Sequence, residues 1–407
     1  MNKEILKKYA ELTVKVGANI KRNDEVVIGS DACCHEFITC LTKAAYQAGA
    51  KKVTALFGSE KIMRLRYLNE SIESLIDIPD WLIKSREYAV EKDAAYISVV
   101  SNDPEAFMGI NPDKMAAYSK ANRTKLKKFY EATMNSDIRW SIIAYPSIEW
   151  AEKVFPNDDK AYEKLFELIA KAMRLDTPNP EKAWQEHQQL LKERVEYLNN
   201  ADFKALKYKN SLGTDFYIEL PENYIFLGGQ ELSKGRLFTA NMPTEEVFSA
   251  PYKFSAKGTL VASMPLIHNG AKIEDFYLTF DKGKIVDYKA RIGQDILKNI
   301  IETDEGSKYL GEIALVPFDS PIQKMNTIFF NTLFDENASC HFAIGKAYPC
   351  LKDAENLNRQ DLNKAGLNDS LEHVDFMVGT LDLEITGIKK DGSEIKFFKN
   401  GNFVIGE

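Results

Sequence analysis

Two histidines near the end of the chain keep company with carboxylates. His341 closes the run Asp335-Glu336-Asn337-Ala338-Ser339-Cys340-His341, and Tyr348 follows it. His373 lies in Leu371-Glu372-His373-Val374-Asp375. In an extended strand, side chains two residues apart share a face. His373 and Asp375 then point the same way, and Val374 and Phe376 pack on the other side. Neutral imidazole with carboxylate is a ligand set suited to zinc, cobalt or manganese. A lone His-x-Asp is more often structural than a ligand, so further acids must decide. Glu245-Glu246 follows Asn241-Met242-Pro243-Thr244, where proline imposes an extended or turning entry. Alone, that pair reads as an exposed acidic turn or a helix cap. Glu312 stands in Tyr309-Leu310-Gly311-Glu312-Ile313-Ala314-Leu315-Val316-Pro317, at the mouth of a strongly apolar strand. Burying a carboxylate there costs several kcal/mol unless it is paired or bound to metal. A strand that began one residue later would leave Glu312 an ordinary surface residue.

Other chemistry-bearing motifs carry less. Cys33-Cys34-His35 suggests a metal site, but adjacent cysteines rarely face one ion and no second ligand pair sits at zinc-finger spacing. It reads as a buried helix start with one chance histidine. His187 falls on an apolar helical stripe as a core imidazole, and His268, in Ile267-His268-Asn269-Gly270, reads as a turn residue. The first strand is followed by Gly29-Ser30-Asp31-Ala32-Cys33 in place of a glycine-rich dinucleotide loop. A phosphate-binding loop, a nucleophile-elbow serine and a His-Glu-x-x-His helix are also missing.

These residues need a scaffold, and 407 residues are enough for two domains. The first 150 residues or so alternate helical and strand patterns. Ile5, Tyr9, Leu12 and Val16 recur at helical spacing up to Gly17, and Phe37, Leu41, Ala45 and Ala48 up to Gly49. Short β-rich runs lie between, at Val26 to Ile28, Val53 to Phe57, Ala95 to Val100 and Ser141 to Tyr145. Such alternation predicts a parallel sheet covered by helices. Asn179-Pro180 reads as an N-cap with proline at the first helical position, opening a helix that ends near Asn200. The domain boundary is placed there, giving an α/β domain over 1–200 and a second domain over 201–407.

The second half changes character. Phe216, Ile218 and Leu220 alternate, and Asp281-Lys282-Gly283, Asp391-Gly392 and Asn400-Gly401 supply hairpin turns. The tail from Leu381 to Val404 reads as an antiparallel meander, and one helix, from Ile296 to Ile301, interrupts the strands. The fold class expected is a parallel-sheet α/β domain followed by an α+β catalytic domain rich in antiparallel strands.

Composition narrows the partners. Net charge is −7 with no basic stretch, which argues against nucleic acid. No run approaches the roughly 18 apolar residues of a membrane span. The opening Met1-Asn2-Lys3-Glu4 has no apolar signal core, and five scattered cysteines fit a reducing cytoplasm.

The segments Asn241 to Phe248, Leu310 to Pro317, Phe334 to Tyr348 and His373 to Gly379 resemble those of the aminopeptidase T and aminopeptidase S family of metallopeptidases. The resemblance extends over essentially the whole chain. It implies that Glu246, Glu312, His341, His373 and Asp375 bind metal, that Glu336 is a further acid near the second metal, and that Tyr348 is the active-site tyrosine. The choice of Glu246 over Glu245 rests on this match. The implied activity is release of amino-terminal residues from peptides, with two divalent ions per subunit (zinc, cobalt or manganese). Glu312, placed by the resemblance between the ions, bridges them or accepts the proton of the attacking water, and Tyr348 donates to the developing oxyanion. The family also implies a homodimer in which the first domain walls the site. Two rival readings are a two-metal hydrolase of another bond, such as a phosphoester, and a two-domain protein that clasps a ligand without turning it over.

Overall fold

The computed structural model describes residues 3–268, 271–354 and 357–405. The opening Met1-Asn2 and the Asn269-Gly270 half of the turn expected after His268 lie outside them. The chain divides into two compact units. The first comprises Met1–His187, Gln230–Pro243 and Ile328–Leu333; the second comprises Gln188–Gly229, Thr244–Thr327 and Phe334–Glu407.

The first unit is built on a parallel sheet of four strands, in the order Lys52–Gly58, Glu25–Asp31, Ala95–Val100, Trp140–Ala144. The strand–helix alternation of the sequence produces it as expected. The helix Lys3–Leu12 continues as a π-turn to Gly17, and Tyr9, Leu6 and Leu12 are buried from it. Tyr9, Phe37 and Tyr145 stack in series, each ring 4.8 Å from the next. Gly49, at φ +100°, ends the helical stretch that begins at His35, because a side chain there would be strained and would meet the Arg22 backbone. Asn179 caps the helix Pro180–Asn200 by accepting from the Lys182 N–H at 3.1 Å.

Cys33, Cys34 and His35 start the helix His35–Gln47, but only Cys34 is buried; Cys33 and His35 are exposed. The expected buried helix start is therefore corrected to a single buried thiol. His187 is buried with its ring edge-on to Trp184, as a core imidazole should be. His268 is not the turn residue expected: it is the last residue of the strand Leu266–His268 and pairs with Ala271.

Among the described residues, the second unit holds two antiparallel sheets, one of nine strands and one of four. The predicted turns close its hairpins. Lys282 and Gly283 both take positive φ between Ala271–Asp281 and Lys284–Ile292, and Asn400 and Gly401 do so between Glu394–Lys399 and Asn402–Phe403. Phe216 and Tyr208 of the larger sheet meet Phe342 of the smaller one, with ring centroids 5.4 and 5.1 Å apart. Burying this shared apolar face is what joins the sheets. The expected helix is observed as Gln294–Ile301, but it is not alone. Short helices at Pro321–Lys324 and Arg359–Lys364 accompany it, each too brief to leave a periodic signal. No helix among the described residues is long and apolar enough to cross a membrane.

Candidate metal centre

The smaller sheet of the second unit orders its strands His373–Met377, His341–Gly345, Leu310–Leu315, Val247–Ser249, all antiparallel. Register sorts their side chains into two faces. Ile313 pairs with Phe342 and Phe342 with Phe376, and all three belong to the core. On the alternate positions, Glu312 pairs with Ala343, Ala343 with Asp375, and Gly345 with His373. Strand side chains alternate, so Glu312, His341, His373 and Asp375 share the face away from that core. Small residues stand between them on this face: Ala314, Ala343 and Gly345.

An irregularity aims Glu312. The ladder between its strand and His341–Gly345 shifts register between Leu310 and Glu312. The extra residue is Gly311, where an added Cβ would lie 2.4 Å from both Gly345 O and Lys346 O. Only glycine fits so close to two carbonyls, and bulges of this kind re-aim side chains beside functional sites. The strand starts at Leu310 and is buried throughout, leaving Glu312 only 5 % exposed. It is not a surface glutamate.

Two groups of ligand atoms result among the described residues, each lying within 4.8 Å: Glu246, Glu312 and His341, and Glu312, His373 and Asp375. His341 Nε2 is 3.2 Å from Glu246 Oε2 and 3.7 Å from Glu312 Oε1. His373 Nε2 is 3.5 Å from Glu312 Oε2 and 3.4 Å from Asp375 Oδ1. Glu312 is common to both groups, one oxygen toward each imidazole. Glu245 belongs to neither, although it too is buried.

The histidines are oriented alike. His341 Nδ1 faces Ser339 O at 3.1 Å, and His373 Nδ1 faces Lys346 O at 2.7 Å. A carbonyl can only accept, so each Nδ1 carries a proton, and when the ring is neutral Nε2 turns its lone pair toward the carboxylates. A lone pair facing carboxylate oxygen is stable only with a cation between them. Glu246 Oε2, Glu312 Oε2 and Asp375 Oδ1 are buried, and no described donor meets them in hydrogen-bonding geometry. Oxygen and imidazole donors with unsatisfied lone pairs therefore fit a divalent cation.

Without one, protons take its place. Burial opposes charge on His341, but the adjoining Glu246 and Glu312 carboxylates outweigh it and raise its pKa well above the ordinary range. His373, opposed by burial and favoured by Asp375, is pushed up to about 10. Burial raises Glu312, while Asp375, which burial would also raise, is held low by the His373 charge.

Two further expected residues stand at the edge. Glu336 lies on the 3₁₀ turn Glu336–Ala338 just before His341 and is absent from both groups. Burial, then the charges of Glu246 and Asp375, raise its carboxyl well above the usual range. Tyr348 packs edge-on against His373 with ring centroids 5.2 Å apart, and against Phe248 at 5.8 Å. Its residue surface is 42 % exposed. Burial of its phenol and the Glu312 and Asp375 charges still keep the hydroxyl protonated.

Residues 2–403 match the thermophilic metalloprotease (M29) family. The chain belongs to this family. It is similar to aminopeptidase AmpS of Bacillus subtilis (strain 168), 42% identical over 402 residues that cover 98% of each chain. It is also similar to aminopeptidase 2 of Geobacillus stearothermophilus, at 39% over 98% of this chain and 97% of that one. The solved structure of wild-type AmpT from Thermus thermophilus matches with a TM-score of 0.92 at 36% identity, over 99% of this chain and 100% of that one. M29 membership favours a metal-dependent peptide hydrolase over a phosphoester hydrolase or a passive ligand clasp.

Sequence reasoning missed the supports of the site. Gly311 and the carbonyls of Ser339 and Lys346 act through backbone geometry. A residue type alone gives no sign of that.

Proposed function

We propose that this chain is a two-metal aminopeptidase, releasing the first residue of peptides. Membership of the M29 family supports the metal and the reaction class. The observation that carries the two-metal reading is the sharing of Glu312 between both ligand groups. In this reading Glu246, His341 and Glu312 hold one ion, and His373, Asp375 and Glu312 hold the other. Glu336, whose carboxyl is raised by burial and by the charges of Glu246 and Asp375, is a further acid near the second ion. The donors suit zinc, cobalt or manganese.

When bound, the pair supplies Lewis acidity toward the scissile carbonyl, a seat for the free α-amine and a water acidic enough to attack near neutral pH. The chain's residues do the rest. Glu312 bridges the ions or takes the proton of the attacking water, its carboxylate set in a buried strand. Tyr348, with its phenol kept protonated, donates a hydrogen bond to the oxyanion that develops, an interaction realised mainly in the transition state. Residues 201–407 carry this chemistry, and 1–200 contribute to a homodimer. A cytoplasmic location belongs to the same proposal.

The test uses aminoacyl-p-nitroanilides and p-nitrophenyl phosphate with metal-free and reloaded protein. Turnover of the anilides alone, restored by zinc, cobalt or manganese, is expected. Acetylating a peptide's amino terminus should remove most of its cleavage. Equal cleavage of free and acetylated peptides would instead mean an endopeptidase, and full activity in protein shown by elemental analysis to be metal-free would end the proposal.

A further inference from the structure

We propose that Asn337 is a positioning residue for the metal centre, fixing Glu246 through the backbone. The inference rests on the reading of Glu246 and His341 as ligands. Glu246 lies outside the three-residue strand Val247–Ser249, whose last ladder pair is Val247 with Leu315. The sheet therefore does not hold Glu246.

A buried asparagine does. The Glu245 N–H donates to Asn337 Oδ1 at 2.7 Å, with Asn337 fully buried and Glu245 nearly so. Asn337 is anchored in turn, because Ser320 Oγ donates to its carbonyl at 3.2 Å. On the other side, a Cβ on Gly228 would come within 2.7 Å of Glu246 O, so the loop is also packed closely there. Asn337 belongs to the Glu336–Ala338 turn that leads directly into His341. One hydrogen bond thus joins the segment bearing Glu246 to the segment bearing Glu336 and His341. The Glu246–His341 approach of 3.2 Å depends on both segments keeping their places. Supports one step behind a ligand commonly set metal affinity by 10–100-fold.

The bond has a polarity that can be tested. Asn337 serves as an acceptor, so Asn337→Asp keeps what Glu245 N–H needs and Asn337→Ala does not. Cobalt(II) is titrated into metal-free full-length protein and followed by its visible absorption, with melting of the metal-free form recorded alongside. Asn337→Ala should bind the cobalt held by Glu246 and His341 about 10–100-fold more weakly, and Asn337→Asp should bind close to the unaltered protein. Asp24→Asn serves as a control for loss of stability. Asp24 pairs with Arg139 at 3.1 Å and with Arg236 at 2.9 Å in the first unit, so this variant should melt earlier yet bind cobalt normally. Wild-type cobalt affinity in Asn337→Ala would overturn the inference, and so would an Asp variant as weak as the Ala variant. If the unaltered protein binds no cobalt, the metal reading itself falls, a result distinct from either.

Discussion

The two ligand groups share Glu312 but differ in depth. Glu246 and His341 are buried, with His341 only 1 % exposed, whereas the side chains of His373 and Asp375 are 26% and 12% exposed. Tyr348 packs on the more open His373. Nearly the same donor chemistry is thus set in two environments. Burial strengthens the attraction between a cation and its ligands and slows exchange with water. The inner group suits a retained ion. The outer group, beside Tyr348, suits an ion that exchanges and meets substrate. The difference separates holding from turning over, and it can be attacked residue by residue.

Removing what the groups share should have the largest effect. Glu312→Gln keeps size but removes the charge common to both. It should lower kcat by about 10³–10⁴-fold, the upper part of the range for a positioned base, and reduce bound metal measured by elemental analysis. A variant with near-normal kcat would mean that Glu312 neither bridges nor accepts the proton.

Tyr348→Phe tests the outer group alone. It removes one hydroxyl and should leave metal content unchanged. Loss of an oxyanion donor predicts a fall in kcat of about 10²–10³, or roughly 2.7–4 kcal/mol of transition-state stabilisation, with KM little altered. Normal kcat would reduce Tyr348 to a packed aromatic, and loss of an ion would make it a support for the metal.

The groups should also differ in how firmly they hold metal. Dialysis against a chelator should strip one ion before the other, and His373→Gln should lose one ion while keeping the second. His341→Gln should weaken the more tightly held ion. If both variants lose the same ion, depth does not separate the groups.

The two halves of the chain differed in how much their sequence revealed. In the first, Val26 to Ile28 and Ala95 to Val100 are apolar runs between helical stripes, and pattern alone led to a parallel sheet, because periodicity reports burial. In the second, chemistry lies where burial and polarity conflict. Glu312 was readable as a carboxylate in an apolar strand, and His373 with Asp375 as neighbours on one strand face. Glu246 was not readable from pattern, since a three-residue strand has no period and Glu245 beside it is equally acidic. The bulge at Gly311 and the Asn337 bond depend on segments far apart in the chain. Glu336 was found by resemblance, and its burial beside the charges of Glu246 and Asp375 had no sequence signal.

The smallest predicted effect concerns protons that stand in for metal. In metal-free protein the His373 pKa is pushed up to about 10, with burial opposing and the Asp375 charge prevailing. The Glu246 and Glu312 carboxylates raise His341 too, against burial, and burial raises Glu312 and Glu336. An unfolded histidine titrates near 6.5. A group whose pKa is raised by folding contributes stability that is complete below the unfolded value and is lost as pH climbs through the folded one. The metal-free protein should therefore lose stability between about pH 6.5 and about pH 10. Glu312 and Glu336 act in the same direction, and Asp375, held low, acts only at acid pH, where carboxylates ordinarily titrate. With metal in place the ligands are already deprotonated, so the loaded protein should lack this extra slope. Melting temperatures of chelator-treated and loaded protein, compared at about pH 6.5 and pH 9.5, give the contrast directly. The gap between the two forms should widen by a few degrees as pH rises. A constant gap would mean that the imidazoles lose their protons near the ordinary value even without metal. The excess negative charge attributed to the centre would then be smaller than its crowded carboxylates imply.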